Sequence, residues 1–281
     1  MQEGKPSKTA ELVCLFRALE YAWHGESSIL KDSMAHNFLQ DGFVTTQYRL
    51  FNAKRREKAY RKLSFGLYDW IILRHGYLDY LLKQYAAEKN IVLLGAGYDS
   101  RAYRLGNLIK HQIYEVDFPA TQKSKLALLN KLQVATDYVQ YLEADFINQS
   151  LEDILASVDR SRPTYFIWEG VTMYITHEVI ENTMATLARE FGAGSVIAFD
   201  YWNTHAPSVL EQQIMKISPK LMELFFSEPL TFSANAENMK EICMANGANK
   251  FTSLEAPELV APLGAAGYAP NKYNSMAVVE F

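Results

Sequence analysis

The residues with the clearest chemistry stand in one run, Ile91-Val92-Leu93-Leu94-Gly95-Ala96-Gly97-Tyr98-Asp99-Ser100-Arg101, which reads as a buried strand, a Gly-x-Gly turn and the start of a helix. Glycine lets backbone approach a ligand closely, and a helix N-terminus adds unpaired N–H groups and a partial positive charge. A dinucleotide would want a third glycine where Ser100 stands, and its pyrophosphate would be repelled by Asp99. An acid and backbone carbonyls at this turn suit instead a phosphate-free ligand that carries a cationic amino group.

The tips of the following strands extend that reading. In Tyr114-Glu115-Val116-Asp117-Phe118-Pro119, Asp117 lies 20 residues after Gly97, the distance at which an acid meets ribose hydroxyls. Side chains alternate along a strand, so Glu115 and Asp117 share a face; one is expected to grip ribose and the other to take a buried hydrogen bond or ion pair. Asp145 and Phe146, after a third strand, supply a carboxylate and a ring for an adenine. Glu169 ends a fourth, apolar strand, and a carboxylate placed there needs a ligand cation or a structural arginine. S-adenosyl-L-methionine (SAM) has the amino group, the ribose and the adenine, and the contacts expected for it are Gly95, Ala96, Gly97, Asp99, Glu115, Asp117, Asp145, Phe146 and Glu169.

These tips must be held in one crevice, and the texture of the chain says how. Short β-rich runs at 91–94, 112–116, 138–142, 165–168 and 195–199 alternate with helical stretches at 101–109, 120–132, 151–157 and 177–191, the pattern of βα units in a doubly wound, Rossmann-like α/β sheet. Residues 9–87 recur at helical spacing and are expected to form a helical cap over positions 1–88, with the SAM-binding domain over 89–281. About 202–235, with Pro207, Pro219 and Pro229, is too long for a plain connection and reads as a lid inserted in that domain. A helix at 237–245 stops at Asn246-Gly247, and two last strands at 250–254 and 276–281 are expected to pair antiparallel.

Of the 281 residues 49% are hydrophobic, which suits an ordinary folded chain. With 28 Lys+Arg against 32 Asp+Glu there is no overall positive field to gather nucleic acid or anionic membrane. A local basic cluster, Arg49, Lys54, Arg55, Arg56, Lys58, Arg61 and Lys62, reads as a solvated helix face, with RNA contact as the alternative. Cys14 and Cys243 are far apart and in no metal-binding spacing, so neither a disulfide scaffold nor a structural zinc is expected, and reduced thiols in a cytosol fit best. No apolar run has the length of a membrane span, and a soluble, cytoplasmic protein is expected.

Leu94-Gly95-Ala96-Gly97-Tyr98-Asp99-Ser100-Arg101 with Tyr103-Arg104-Leu105, Glu115-Val116-Asp117-Phe118-Pro119 and Glu169-Gly170-Val171-Thr172-Met173-Tyr174 together resemble the leucine carboxyl methyltransferase family of SAM-dependent enzymes. The likeness extends to Thr9-Ala10, to Arg17-Ala18-Leu19-Glu20 and to the helix carrying Arg74 and Asp79. It implies a class I methyltransferase fold of seven strands with the last pair reversed. It also implies that Arg74 holds the methionine carboxylate, Gly95 and Gly97 lie beside the aminoacyl part, and Glu169 lies near the sulfonium and amino group. Phe65-Gly66-Leu67-Tyr68 departs from the arginine-glycine-tyrosine pattern of the eukaryotic protein-modifying branch, and the better match is the bacterial branch, whose members include enzymes of secondary metabolism that methylate small-molecule oxygens, often carboxylates. A carboxylate acceptor is ionised at neutral pH and needs no base, so positioning dominates. For a hydroxyl acceptor the candidate bases are His205 and Tyr201, and Tyr174 and Trp202 are candidates to line the acceptor pocket.

Overall fold

The computed structural model of the protein describes residues 8–40, 42–146, 148–204 and 230–281. Seven strands form one sheet: β1 Asn90–Leu94, β2 Ile113–Asp117, β3 Val139–Glu143, β4 Thr164–Trp168, β5 Val196–Trp202, β6 Lys250–Glu255 and β7 Asn274–Glu280. Their order is β3-β2-β1-β4-β5-β7-β6. β7 runs antiparallel between β5 and β6, and the pairs among β1 to β5 are parallel. The expected doubly wound sheet with an antiparallel last pair is what the chain forms, β7 alone being reversed.

β1 pairs β2 on one side and β4 on the other, through Leu93↔Glu115 and Leu93↔Ile167. The direction of winding therefore reverses between β1 and β4. In open α/β sheets such a point leaves a crevice at the carboxyl ends of the strands, where ligands bind.

Every residue of β1, β2 and β4 is buried, as a parallel sheet covered on both faces requires. Alternation sorts the side chains. Ile91, Leu93, Tyr165, Ile167 and Ala198 face a core shared with Leu15 and Leu19 of α1 (Lys8–His24) and Leu73 and Leu78 of α4 (Leu67–Tyr85). Val92, Leu94, Phe166, Trp168, Ile197 and Phe199 face Ile180, Met184 and Leu187 of α8 (His177–Phe191) and Met239 of α9 (Ala236–Ala245). The N-terminal helices α1, α2 (Gly42–Phe51), α3 (Glu57–Leu63) and α4 thus carry apolar residues continuous with one face of the sheet.

Two helices differ from expectation. The stretch 101–109 breaks after α5 (Arg101–Arg104) into a 3-10 turn, Gly106–Leu108, where Gly106 and Asn107 are weak helix formers. The stretch 151–157 ends early, as α7 (Leu151–Ile154), with Ser150 accepting the Asp153 N–H at its start. The remaining crossover helix is α6 (Pro119–Lys131). Most of the expected lid, with His205, Met215, Met222, Phe225 and Phe226, lies outside the described residues; its described margins meet where the Thr204 N–H bonds the Ala234 carbonyl. Among the described residues no helix is long and apolar enough to cross a membrane.

Candidate active site

The turn after β1 needs its glycines. Gly95 and Gly97 have φ of +72° and +48°, which L side chains rarely adopt, and a Cβ at Gly95 would fall 2.9 Å from Val171 Cγ2. A Cβ at Gly97 would meet Ala10 of α1 at 3.2 Å, so the first helix lies directly against the turn. Asp117 reaches across from the tip of β2: its Oδ2 accepts the Gly97 N–H and its Oδ1 the Phe118 N–H. Burial raises the Asp117 carboxyl above its ordinary value despite these two donors. The Ala144 N–H bonds the Asp117 carbonyl at 2.8 Å, which brings the end of β3, with Asp145 and Phe146, alongside.

Beside the turn lies a buried network of ion pairs. Arg101 is fully buried; its Nε donates to Asp79 Oδ1 at 2.7 Å, its Nη2 to the His75 carbonyl at 3.0 Å and its Nη1 to Glu169 Oε2 at 2.7 Å and to Asp99. Arg104 also binds Asp79, at 2.6 Å. Arg74 donates from Nε to Glu169 at 3.0 Å and from Nη1 to Asp200 at 2.7 Å. Gly170, with φ of +71°, turns beneath that guanidinium and gives its N–H to Asp200 at 2.6 Å. From the cap, Arg17 donates to Asp32 at 2.6 Å and to the Tyr98 carbonyl at 2.7 Å, while Ser100 donates to Asp32 at 2.7 Å.

His75 joins the two halves of the network. Arg104 has only protons to offer, so His75 Nε2, 3.0 Å away, must accept, and Nδ1 then carries the proton toward Glu169 at 3.0 Å. Burial and the Arg101 charge lower the imidazole below its usual range, consistent with this neutral form. Burial raises the Glu169 carboxyl, but His75, Arg101 and Arg74 more than reverse that and hold it well below the carboxylate range. Asp99 is pushed up by burial and then well down by Arg101. His75, Asp99 and Glu169 have ligand atoms within 4.8 Å of one another, but the Arg101 guanidinium sits on both acids, so the trio is an ion-pair cluster and not a free metal cage.

The sequence profile of the leucine carboxyl methyltransferase family matches residues 10–188, the span that holds the turn, Asp117 and Glu169. The chain belongs to the leucine carboxyl methyltransferase family. Two bacterial relatives, both provisionally named SAM-dependent methyltransferases, are 28% identical over 191 residues (Streptomyces coelicolor) and 30% identical over 194 residues (Streptomyces avermitilis). Each alignment covers 66% of this chain and 66% of the relative, so the similarity spans just under two thirds of those proteins. The crystal structure of a provisionally named methyltransferase from Thermobifida fusca shares the fold, with a TM-score of 0.56 at 14% identity, over 99% of this chain and 96% of that one. The cofactor of such a family member is SAM.

The site of this family member fits that cofactor. Around the turn stand six carboxylates, Asp32, Asp79, Asp99, Asp117, Glu169 and Asp200, against four guanidiniums, those of Arg17, Arg74, Arg101 and Arg104. The surplus is acidic, the sign that complements a ligand with an ammonium and a sulfonium against one carboxylate.

The structure brings Arg74, Gly95, Ala96, Gly97, Asp99, Asp117 and Glu169 into one neighbourhood, with Asp145 and Phe146 at its edge. Glu115 is drawn away: it pairs with Lys125 at 2.7 Å, both buried, and burial lifts its carboxyl to about 6. Of the two acids on β2, Glu115 takes the ion pair and Asp117 the turn. Tyr174 ends a short 3-10 turn after Glu169. Tyr201 lies on the opposite face of β5 from Asp200, buried beside Phe199, with its hydroxyl 2.8 Å from Ser253, and is not brought to the network. Arg17, Asp32, His75 and Asp200 were not singled out by spacing. Arg17 and Asp200 are lone polar residues in apolar stretches, and that misfit was the available signal; Asp32 and His75 have polar neighbours and carried none.

Proposed function

We propose that the protein is a SAM-dependent O-methyltransferase acting on a small molecule, with a carboxylate as the acceptor. The observation that carries the reading is the contact of Asp117 with the Gly97 N–H, which joins a ribose-type acid and a glycine turn at the switch point of the sheet. SAM supplies a methyl group on a sulfonium, open to in-line displacement by an oxygen. In this reading the Gly95–Gly97 backbone lies along the aminoacyl part, Asp117 exchanges the Gly97 N–H for ribose hydroxyls, and Asp145 with Phe146 faces the adenine. Glu169 holds the cationic end, Arg74 the methionine carboxylate, and Tyr174 lines the acceptor side.

A carboxylate acceptor is favoured because, among the described residues, the candidate bases His75 and Tyr201 are already committed. His75 is neutral and held between Glu169 and Arg104, and Tyr201 faces the far side of the sheet. An acceptor that is ionised at neutral pH needs only orientation and exclusion of water, and well-oriented reactions gain roughly 7–11 kcal/mol from positioning. The test is transfer of labelled methyl from SAM to a panel of aliphatic and aromatic acids and phenols, followed by mild alkali. Label released as methanol marks a methyl ester and supports the reading. Alkali-stable label on a phenol, lost in His205→Ala, would replace it with a hydroxyl acceptor and a base in the 205–229 segment.

A further inference from the structure

The four most exposed large hydrophobes among the described residues all fall in one 23-residue stretch of the cap: Phe65 at 87%, Phe43 at 67%, Leu63 at 65% and Leu50 at 51%, against at most 42% elsewhere. Between them the exposed side chains are mostly cationic, Arg49 on α2 and Lys54, Arg55, Lys58 and Lys62 on and before α3. From 42 to 65 the only acid is Glu57, and it is turned inward onto Lys54, His24 and Arg61. A chain with net charge -4 thus carries a local face that is cationic and apolar, with no exposed acid in that stretch.

Both helices are fixed from beneath. The rings of Phe51 and Tyr60 meet at a tilt of 58° with centroids 4.9 Å apart, Trp23 of α1 donates to the Phe51 carbonyl, and Tyr60 reaches Gln47. Their outer residues therefore turn away from α1. Phe65 is the sharpest case. It has φ of +48°, a conformation costly for a bulky residue, and nearly its whole side chain is in solvent, so no packing within the described residues repays the strain. The turn that holds it is anchored: a Cβ on Gly66 would fall 2.6 Å from the Asn271 backbone nitrogen, whose N–H bonds the Gly66 carbonyl.

We propose that this face docks on an anionic lipid bilayer, with Phe65 and Leu63 entering the headgroup region and Arg49, Arg55, Lys58 and Lys62 over the lipid phosphates. Charge complementarity names the occupant, and the exposed aliphatic side chains of Leu50 and Leu63, which offer no ring for a base to stack on, favour a bilayer over a nucleic acid. The argument is independent of the methyl-transfer reading.

The test is co-sedimentation of the intact protein with vesicles of equimolar phosphatidylglycerol and phosphatidylcholine, with pure phosphatidylcholine vesicles and poly(U) RNA alongside. The parent should bind the anionic vesicles, and raising the salt should weaken it. Phe65→Asn places a residue that tolerates positive φ at the turn, so thermal stability should be kept or raised while vesicle affinity drops at least about tenfold. Lys58→Gln and Lys62→Gln should each cost about fivefold, and Leu132→Ser, on another surface, should change nothing. No preference for anionic over neutral vesicles, or unchanged binding by Phe65→Asn, would overturn the proposal. Binding to poly(U) without vesicle binding would mark the face as a nucleic-acid contact instead.

Discussion

Replacing Arg101 by methionine removes the cation that ties β1's helix to α4 and to the tip of β4. In the folded chain its guanidinium is fully buried and serves Asp79, Asp99 and Glu169 together. Asp79 retains Arg104 and Glu169 retains Arg74, so the acid left without a bonded cation is Asp99. Stranding one buried charge costs about 3–5 kcal/mol, a large share of the roughly 5–15 kcal/mol that holds a domain together. At about 2–4 °C per kcal/mol for a chain of this size, Arg101→Met should melt some 6–20 °C below the parent. Urea titration followed by circular dichroism should show the same loss at an unchanged slope. The companion is Asp99→Asn, which removes the stranded charge. In the double variant the two losses should fall short of their sum by about 1–3 kcal/mol. If Arg101→Met stays within about 1 kcal/mol of the parent, or if the two losses add within about 0.5 kcal/mol, the network does not hold the fold as described.

His75 gives a pH signature: the folded state keeps it neutral while the unfolded chain takes up a proton as pH falls below 6.5, so stability should decline on acidification from there. His75→Gln should flatten that decline in urea titrations at stepped pH, and an unaltered profile would remove His75 as its source. For Glu115 and Lys125, the double replacement by methionine should leave stability unchanged or raise it by about 1–4 kcal/mol, because a buried pair is expensive to desolvate. SAM affinity of that variant should stay within about threefold of the parent's, a shift under 1 kcal/mol; a larger loss would return Glu115 to the ribose.

Local pattern carried the fold a long way. α8 spans the 177–191 expected for it, and each strand lies within a few residues of its apolar run, because parallel strands buried on both faces must be continuously hydrophobic. Strand tips were harder: β2 takes in Asp117 and β5 continues to Trp202, since the sheet's hydrogen bonding outlasts its apolar run. The glycine turn and Asp117 were legible because twenty residues of βα unit fix their relation. Which of Glu115 and Asp117 meets the turn was not legible, since alternation puts both on one face and the choice rests on Lys125 arriving from α6. That Glu169 needs a cation was legible, but most of its network was not: Arg17, Asp32, Arg74, Asp99, Glu169 and Asp200 are joined only by tertiary packing, at separations no local period encodes.

The account stands or falls on where the cofactor sits, and calorimetric titration of SAM into the parent, Asp117→Ala and Gly97→Val tests that most directly. Asp117→Ala removes the acid at the β2 tip and should weaken SAM at least about tenfold, the loss of a charge-assisted contact of roughly 1.5–3 kcal/mol. Gly97→Val fills the turn against Ala10 and should abolish binding altogether. Parent-like affinity in both variants would contradict the placement of SAM at this turn.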